Sequence, residues 1–327
     1  MKFKILIIAA VVLTTIVTSC KTDEVTLTGN WVQKAFFDGR QRADGSSFAI
    51  DGFGYWGMGK DDDGYLTDFW KFDPVKNVWS QVAEFPGTPR AYNVSIGNGA
   101  KGFVGLGYDG SNDLADFWEY NASSNSWTQI ADFGGGERRY ATAFAIGPDI
   151  YVGTGTQEND KLYTNDFWKF DGSSWIKTTS LTGEKRRKAN AVTLDGKGYV
   201  LSGVHNTILS DFWSFDPATQ GWTKMKSLSD EDYGNTTIAR VNASVFAVEG
   251  KIYIAGGNNN TAVASTFEWD PATITWIEKT SIETGSREGA GTFVLDGKGY
   301  IVGGRSGSTY RDDLNLFEPN VEKNDED

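Results

Sequence analysis

The sequence predicts an all-β fold in which six repeated units form a ring. The first observation is a tryptophan that returns after 47 to 54 residues, at Trp31, Trp79, Trp127, Trp175, Trp222 and Trp276. The second is an arginine that follows five of these tryptophans after 11 residues and follows Trp222 after 18. A repeat of about 48 residues lies in the size range of β-propeller blades.

Every unit predicts the same order of strands. After the arginine, a turn such as Asp51-Gly52 leads into an aromatic and β-branched run that ends in glycine, for example Tyr55 to Gly59. A variable loop, an aromatic run such as 68–73, a second turn and the tryptophan segment follow. Short β-rich runs separated by such turns predict four antiparallel strands. No long apolar run has helical spacing, so we expect little helix.

The two ends of the chain predict how the ring closes. The sixth unit ends at Pro319 without a tryptophan, whereas Trp31 precedes the first arginine and has no strands of its own. We therefore expect the strand around Trp31 to complete the sixth blade. Residues 30–319 would then form a six-bladed propeller with four antiparallel strands per blade. Closure also removes the exposed sheet edge that an open array would leave.

These repeats resemble Kelch repeats, in which a glycine pair ends a β run and an aromatic run and a tryptophan follow at fixed distances. Gly256-Gly257 and Gly303-Gly304 keep the glycine pair, and the other units have Gly-x-Gly or Ser-Gly. The resemblance covers residues 30–319 and implies the propeller fold. Kelch propellers include binding modules, scaffolds and enzymes, so function has to be argued from a site.

The start of the chain predicts a lipid-anchored protein of the cell envelope. Residues 1–19 have a basic start and an apolar core, as in a secretory signal peptide. The signal ends at Cys20, the only cysteine, in a context that resembles a bacterial lipoprotein cleavage site. We therefore expect Cys20 to be lipidated and residues 20–29 to form a tether, with residues 320–327 as an acidic tail.

The residues after Cys20 indicate where the protein is located, and the charge of the chain indicates which partners are excluded. Lys21 and Asp23-Glu24 resemble the surface-export signal of Bacteroidetes lipoproteins, which favours the outer membrane and leaves surface exposure open. The net charge of −12 argues against nucleic acid or anionic lipid as a partner. Contact with the membrane is expected through the lipid anchor only. A single cysteine excludes an intrachain disulfide.

Strand order places the six arginines and the six variable loops on one face, which we call the long-loop face. Six arginines there would focus positive potential and suit a carboxylate or an acidic sugar. Their regular recurrence instead favours one structural role in every blade, in which each arginine bonds loop carbonyls or the aspartate that opens the aromatic run. The binding candidates are Arg139, Arg187, Arg287, His205, Arg305 and Tyr310.

The sequence argues against metal and cofactor chemistry. Some Kelch propellers resemble galactose oxidase, whose copper site needs two histidines and a cysteine cross-linked to tyrosine. This chain has one histidine, His205, and its one cysteine is assigned to the lipid. Zinc fails for the same reason, and Asp61-Asp62-Asp63-Gly64 lacks the spacing of a calcium loop. We therefore expect no metal and no cofactor.

Two functions remain open at this point. The first is a non-catalytic binding module that takes a protein or glycan ligand on the long-loop face. The second is a carbohydrate epimerase or mutarotase that acts on an acidic sugar, because six-bladed bacterial Kelch propellers include the sialic acid mutarotases. Glu288 beside Arg287 is the candidate acid/base for that reaction. An enzyme would need a deep pocket with a carboxylate near two or more arginines, whereas a binding module can use an open rim.

Overall fold

A computed structural model describes residues 27–158, 160–229 and 238–324. In these ranges the chain forms six four-stranded antiparallel sheets and four short hairpins, and it contains no helix. A helix able to cross a membrane is accordingly not found in this part of the chain. The predicted signal peptide and Cys20 lie outside the described residues, so the lipid anchor stays a prediction.

The first three blades follow one another along the chain, and each runs from its inner strand at the channel to its outer strand. Blade one consists of Ser46–Ile50, Phe53–Gly57, Phe69–Asp73 and Val78–Val82. Blade two consists of Val94–Gly97, Gly102–Gly105, Phe117–Asn121 and Ser126–Ile130. Blade three consists of Thr142–Ile146, Asp149–Gly153, Phe167–Phe170 and Trp175–Lys177.

The remaining blades complete the ring. Blade four consists of Asn190–Leu194, Lys197–Leu201, Phe212–Asp216 and Gly221–Lys224. Blade five consists of Ser244–Val248, Lys251–Ala255, Thr266–Asp270 and Thr275–Lys279. Blade six consists of Gly291–Leu295, Lys298–Val302, Leu314–Glu322 and Thr28–Gln33. Two-residue hairpins on the long-loop face pair Thr156–Gln157 with Leu162–Tyr163, Val204–His205 with Thr207–Ile208, Asn258–Asn259 with Thr261–Ala262, and Arg305–Ser306 with Thr309–Tyr310.

The predicted closure by the N-terminal strand is confirmed. Thr28–Gln33 is the outer strand of blade six and pairs antiparallel with Leu314–Glu322, with Trp31 opposite Phe317. The two rings lie 4.6 Å apart at their centroids, and the Trp31 side chain is fully buried. Its indole nitrogen donates to the Thr280 carbonyl of blade five at 3.1 Å. The strand therefore joins blade six to blade five as well as completing its own sheet.

The repeated tryptophans lie at the junctions between blades. The indoles of Trp31, Trp127, Trp175 and Trp222 donate to a carbonyl of the preceding blade, whereas those of Trp79 and Trp276 have no hydrogen-bond partner in the described ranges. The indole of Trp127 donates to the carbonyl of Ala83 in the preceding blade at 3.0 Å, and its ring packs on Phe69 there at 5.2 Å. Edge-to-face contacts at this distance stabilise beyond the area they bury. Each tryptophan thus seals one junction of the ring, which explains the regular spacing that the sequence shows.

The structural interpretation of the repeated arginines is confirmed. All six are buried, and five bind the aspartate that opens the aromatic run of the same blade. In blade two, Arg90 donates two parallel hydrogen bonds to Asp116, at 2.5 and 2.8 Å, and a third to the Leu106 carbonyl. Arg240 of blade five bonds Ser265 at the corresponding position. The arginines therefore do not form a positive rim, because their guanidinium groups lie inside the blades.

The arginine also sets the ionisation of its aspartate. Burial by itself would raise the pKa of Asp116, but hydrogen bonds from Arg90 and Trp118 and the positive charge of Arg90 outweigh burial and lower that pKa. The pair is therefore ionised at neutral pH. Its contribution to stability is present above the ordinary pKa of an aspartate and is lost as the pH falls through the lowered value.

We predict that Asp116→Ala destabilises the protein by about 3–5 kcal/mol, because it leaves the Arg90 charge buried without its carboxylate. Urea unfolding at pH 7 measures the change. The control in the same blade is Glu119→Ala, which removes an ion pair to Lys101 that is partly exposed and should cost less than about 1 kcal/mol. Equal stability of the two variants would contradict the structural role.

Candidate functional site

A ring of six residues narrows the channel on the long-loop face. Each lies two positions after a repeated arginine, and each has a left-handed backbone with φ from 50° to 65°: Asp44, Tyr92, Tyr140, Lys188, Asn242 and Gly289. Their amides connect the blades, since the NH of one residue donates to the carbonyl of its neighbour in the ring at 2.8 to 3.0 Å at five junctions. We call these six residues the mouth ring.

The conformation of the mouth ring is unfavourable for three of its six residues. A left-handed backbone costs an ordinary residue roughly 1–2 kcal/mol, and only glycine, asparagine and aspartate adopt it readily. Glycine stands at this position in blade six, so the backbone alone could be satisfied by glycine everywhere. Tyr92, Tyr140 and Lys188 instead accept the strain. Strained side chains also occur inside the blades, as at Met58 and Leu106, so it is the convergence of three such side chains on one cavity that indicates function.

The mouth ring lines a cavity of about 140 Å³ that opens on the long-loop face. Below it the channel widens to about 580 Å³ between the inner strands, which carry mainly alanine, valine, serine and threonine. The hydroxyls there are already used between blades, as when the Ser95 hydroxyl accepts from the Ser47 amide and donates to the Ser47 carbonyl. The polar groups that remain available to a ligand are therefore concentrated at the mouth.

Asp44 is the buried carboxylate of the mouth ring. Its side chain is 5% exposed, and its Oδ2 makes no hydrogen bond to any residue in the described ranges. Burial raises its pKa to about 6, although the charges of Arg305 and Lys188 oppose the shift, and Glu288 adds to it. A Cβ at Gly289 would lie within 2.5 Å of the Asp44 carboxylate, so glycine leaves the room that this carboxylate occupies.

Glu288 and Arg305 are brought together by the register of blade six. Their backbones exchange two hydrogen bonds of 2.9 Å, and the Arg305 guanidinium lies 3.6 Å from the Glu288 carboxylate and 3.7 Å from that of Asp44. Asn242 of the mouth ring donates to Glu288 at 3.3 Å. One arginine therefore serves two carboxylates that come from opposite ends of the chain.

The cationic groups lie on the other side of the mouth. Asp160 accepts from Arg139 at 3.3 Å and from Arg187 at 2.6 Å, and so holds the two guanidinium groups together. The Lys188 ammonium lies 4.7 Å from the centre of the Tyr140 ring. Burial and the nearby charge of Arg187 lower the pKa of Lys188, while Asp44 and Glu288 act in the opposite direction.

Aromatic side chains surround these charges. Tyr92 and Tyr140 of the mouth ring contact each other at 4.5 Å, and burial raises the pKa of Tyr92 to about 12, so its hydroxyl stays protonated. On the loops, Arg139 lies 4.1 Å above the Tyr108 ring. His205 stacks on Tyr163 at 5.1 Å, with its Nδ1 2.6 Å from the Lys185 carbonyl. The mouth thus combines flat rings with fixed donors and acceptors.

The candidate residues from the sequence fall into two groups. Arg139, Arg187, His205, Arg305 and Tyr310 all lie on the long-loop face, with Tyr310 directly opposite Arg305 in its hairpin. Glu288 lies beside Arg305, as described. Arg287 belongs elsewhere, because its guanidinium is buried and bonds Asp313 at 2.6 Å between the strands of blade six.

Sequence reasoning missed the mouth ring itself. Alignment of the six units on their arginines would have found it, because the position two residues after the arginine varies among five residue types although the arginine itself repeats. The described residues contain no cluster of three or more histidine, cysteine or carboxylate side chains that could hold a metal.

Comparison with known proteins supports the repeat family and the fold. Residues 107–257 match the family described as the KLHDC2/KLHL20/DRC7 Kelch-repeats domain, and residues 239–281 match the Kelch motif. The chain is a Kelch-repeat β-propeller. No curated protein is similar enough in sequence to count as a relative.

A solved structure titled "Structure of YjhT" shares the fold of this Kelch propeller. The two superimpose with a TM-score of 0.73, over 86% of this chain and 96% of that chain, at 16% sequence identity. Similarity at this level concerns the fold alone. What this propeller binds has to come from the residues of its own mouth.

We predict that Asp44→Asn stabilises the protein above pH 6. The folded-state pKa of Asp44, about 6, lies above the ordinary value of 3.8. The proton therefore stabilises the folded state below pH 3.8, and this contribution is lost as the pH rises through 6. Asparagine avoids the buried charge, so the variant should gain up to about 3 kcal/mol at pH 8 and little at pH 4.

Urea unfolding of both proteins at the two pH values measures this difference. Comparing variant with wild type cancels the opposite pH dependence of the arginine-bound aspartates, which both proteins share. The same gain at pH 4 as at pH 8 would mean that Asp44 is not a destabilising buried charge.

Proposed function

We propose that this Kelch propeller is a non-catalytic glycan-binding module whose site is the mouth of the channel on the long-loop face. The observation that carries the proposal is the mouth ring, in which Tyr92, Tyr140 and Lys188 keep side chains at strained positions that glycine could fill. Such side chains cost stability, and binding is the gain that would retain them.

The chemistry of the mouth favours a sugar over a protein surface. Sugars pack their apolar faces on aromatic rings, and their hydroxyls pair with carboxylates, amides and guanidinium groups, as Tyr140, Asn242 and Arg305 would supply. A protein partner would need large apolar anchors around a broad contact area. The exposed large apolar side chains, apart from Leu162 and Phe36, lie on segments away from the long-loop hairpins: Val75, Val78, Ile176, Ile274, Ile277 and Val321.

We predict that mouth substitutions weaken glycan binding while opposite-rim substitutions do not. The mature protein is screened on a glycan array, and calorimetry on a hit then compares variants. Arg305→Ala and Arg139→Ala should each lower the affinity about ten- to a hundredfold, because each removes a charge-assisted hydrogen bond. Lys298→Ala and Lys197→Ala alter the short turns of the other rim and should stay within about twofold.

Two results would contradict the proposal. One is a screen in which no glycan binds the folded wild-type protein. The other is the reverse pattern, in which the short-turn lysines matter and the mouth arginines do not.

A second candidate function is supported by one observation at the same site. Asp44 is a buried carboxyl with a pKa of about 6, and it shares Arg305 with Glu288. A carboxyl in this range can both give and accept a proton near neutral pH, as an epimerase or mutarotase of an acidic sugar requires. Binding remains the first candidate, because the described residues place only Arg305 within 4 Å of these two carboxylates, whereas the enzyme hypothesis calls for two or more arginines.

Anomer exchange of bound acidic sugars, followed by NMR, separates the two functions. A catalyst should accelerate exchange, and Asp44→Asn should abolish the acceleration with little effect on the dissociation constant. Binding without accelerated exchange would reject the enzyme and keep the binding module.

A further inference from the structure

The charges at the mouth are divided between its two halves. The carboxylates Asp44 and Glu288 belong to blades one and six, which are neighbours in the ring. The cations Arg139, Arg187 and Lys188 belong to blades three and four. In a ring of six blades, blade one lies opposite blade four and blade six lies opposite blade three. The carboxylates and the cations therefore face each other across the channel.

The carboxylate half has two negative charges and only one positive partner, Arg305. Asp44 and Glu288 have side chains that are 5% and 10% exposed, and both depend on the single guanidinium of Arg305 at 3.6 to 3.7 Å. Asp44 lines the mouth cavity, and its buried Oδ2 receives no hydrogen bond from any described residue. A buried acceptor of this kind is costly unless a donor reaches it.

The cationic half has one positive charge, that of Lys188, without a carboxylate partner. Asp160 occupies the guanidinium groups of Arg139 and Arg187. Lys188 also lines the mouth cavity, and its ammonium makes neither an ion pair nor a hydrogen bond within the described ranges. Its contact is the face of the Tyr140 ring. Two carboxylates on one side of the cavity thus share a single guanidinium, and the Lys188 ammonium on the other side has no ion pair within the described ranges.

We propose that the mouth binds a zwitterionic saccharide, a sugar that carries one ammonium and one carboxylate group, with the ammonium at Asp44 and the carboxylate at Lys188. The inference rests on the proposed glycan-binding function and specifies its ligand class. A neutral sugar would leave Asp44 sharing Arg305 with Glu288 and would leave Lys188 without an ion pair, and a sugar with one charge would relieve only one of these deficits. A zwitterion supplies a partner of opposite sign to both Asp44 and Lys188, and it adds no net charge to a site that already contains many charged groups.

The ionisation of the two residues agrees with this arrangement. Burial raises the pKa of Asp44 and lowers that of Lys188, so the charged form of each is disfavoured in the unliganded protein. An ammonium beside Asp44 and a carboxylate beside Lys188 would act against both shifts. A zwitterionic ligand would therefore favour the charged form of both Asp44 and Lys188.

Four related monosaccharides test the proposal as a two-by-two set. Glucosamine and N-acetylglucosamine differ in the ammonium, and muramic acid and N-acetylmuramic acid are the same pair with a lactyl carboxylate added. Calorimetry with the mature protein at pH 7 measures all four. We expect muramic acid to bind at least about tenfold more tightly than glucosamine and than N-acetylmuramic acid, with N-acetylglucosamine weakest.

Two variants assign each preference to its residue. Asp44→Asn should remove the preference for amine over acetamide and keep the preference for the carboxylate. Lys188→Gln should do the reverse, and Lys197→Ala on the opposite rim should change neither. Thermal unfolding of each variant confirms that it is folded, which for Asp44→Asn is expected because the substitution removes a buried charge.

The outcomes separate this inference from the function on which it rests. Equal affinity for the four sugars, or a preference for the neutral or the acetylated members, overturns the zwitterion and leaves glycan binding intact. Binding of none of the four also overturns it, and a positive glycan array then keeps the broader function. A negative array and no binding of the four sugars overturn both. Preferences that persist in Asp44→Asn and Lys188→Gln overturn the assignment of the charges.

Discussion

The buried arginine of each blade is the interaction on which the rest of the structure depends. Within its own blade, Arg90 bonds Asp116 and the Leu106 carbonyl, and so fixes two loops that are distant in sequence. Its own carbonyl accepts from Gly59 of the preceding blade at 3.1 Å. Two residues later the chain enters the mouth ring. The arginine is therefore the point where packing inside a blade meets contact between blades, and it determines where the mouth side chains stand.

This arrangement also gives a physical meaning to the glycines that identify the repeat. Gly59 has φ of 80°, and a Cβ there would lie 2.5 Å from the Ala43 carbonyl. Only glycine allows the second strand to pass so close to the residue after the arginine. The glycines and the arginines thus serve the same junction. Their recurrence reports the fold and carries no information about a ligand.

The sequence predicted the contacts that recur in every blade and missed those that occur in one blade only. Ring closure by Trp31 and the structural role of the arginines followed from regular spacing, because each depends on the same contact in every blade. The left-handed backbone of the mouth ring was not predicted, since Tyr92 and Lys188 are residues that do not suggest this conformation. The contact of Glu288 with Arg305 depends on the register of a short hairpin in blade six, which spacing alone does not give. Arg287 was proposed as a ligand residue because it adjoins Glu288, although its repeat position already indicated burial.

Closure of the ring and chemistry of the mouth are linked through blade six. Asp44 lies near the start of the chain and Glu288 near its end, yet they share Arg305 because blade six stands beside blade one. The Asp44 amide bonds the Gly289 carbonyl at 2.8 Å, which joins the two ends within the mouth ring. On the outer side, Trp31 holds the N-terminal strand in blade six. The carboxylate half therefore exists only in the closed ring, whereas the cationic half on blades three and four is built from adjacent sequence. A propeller that opened at this junction would keep its cations and lose the partner charge across the channel.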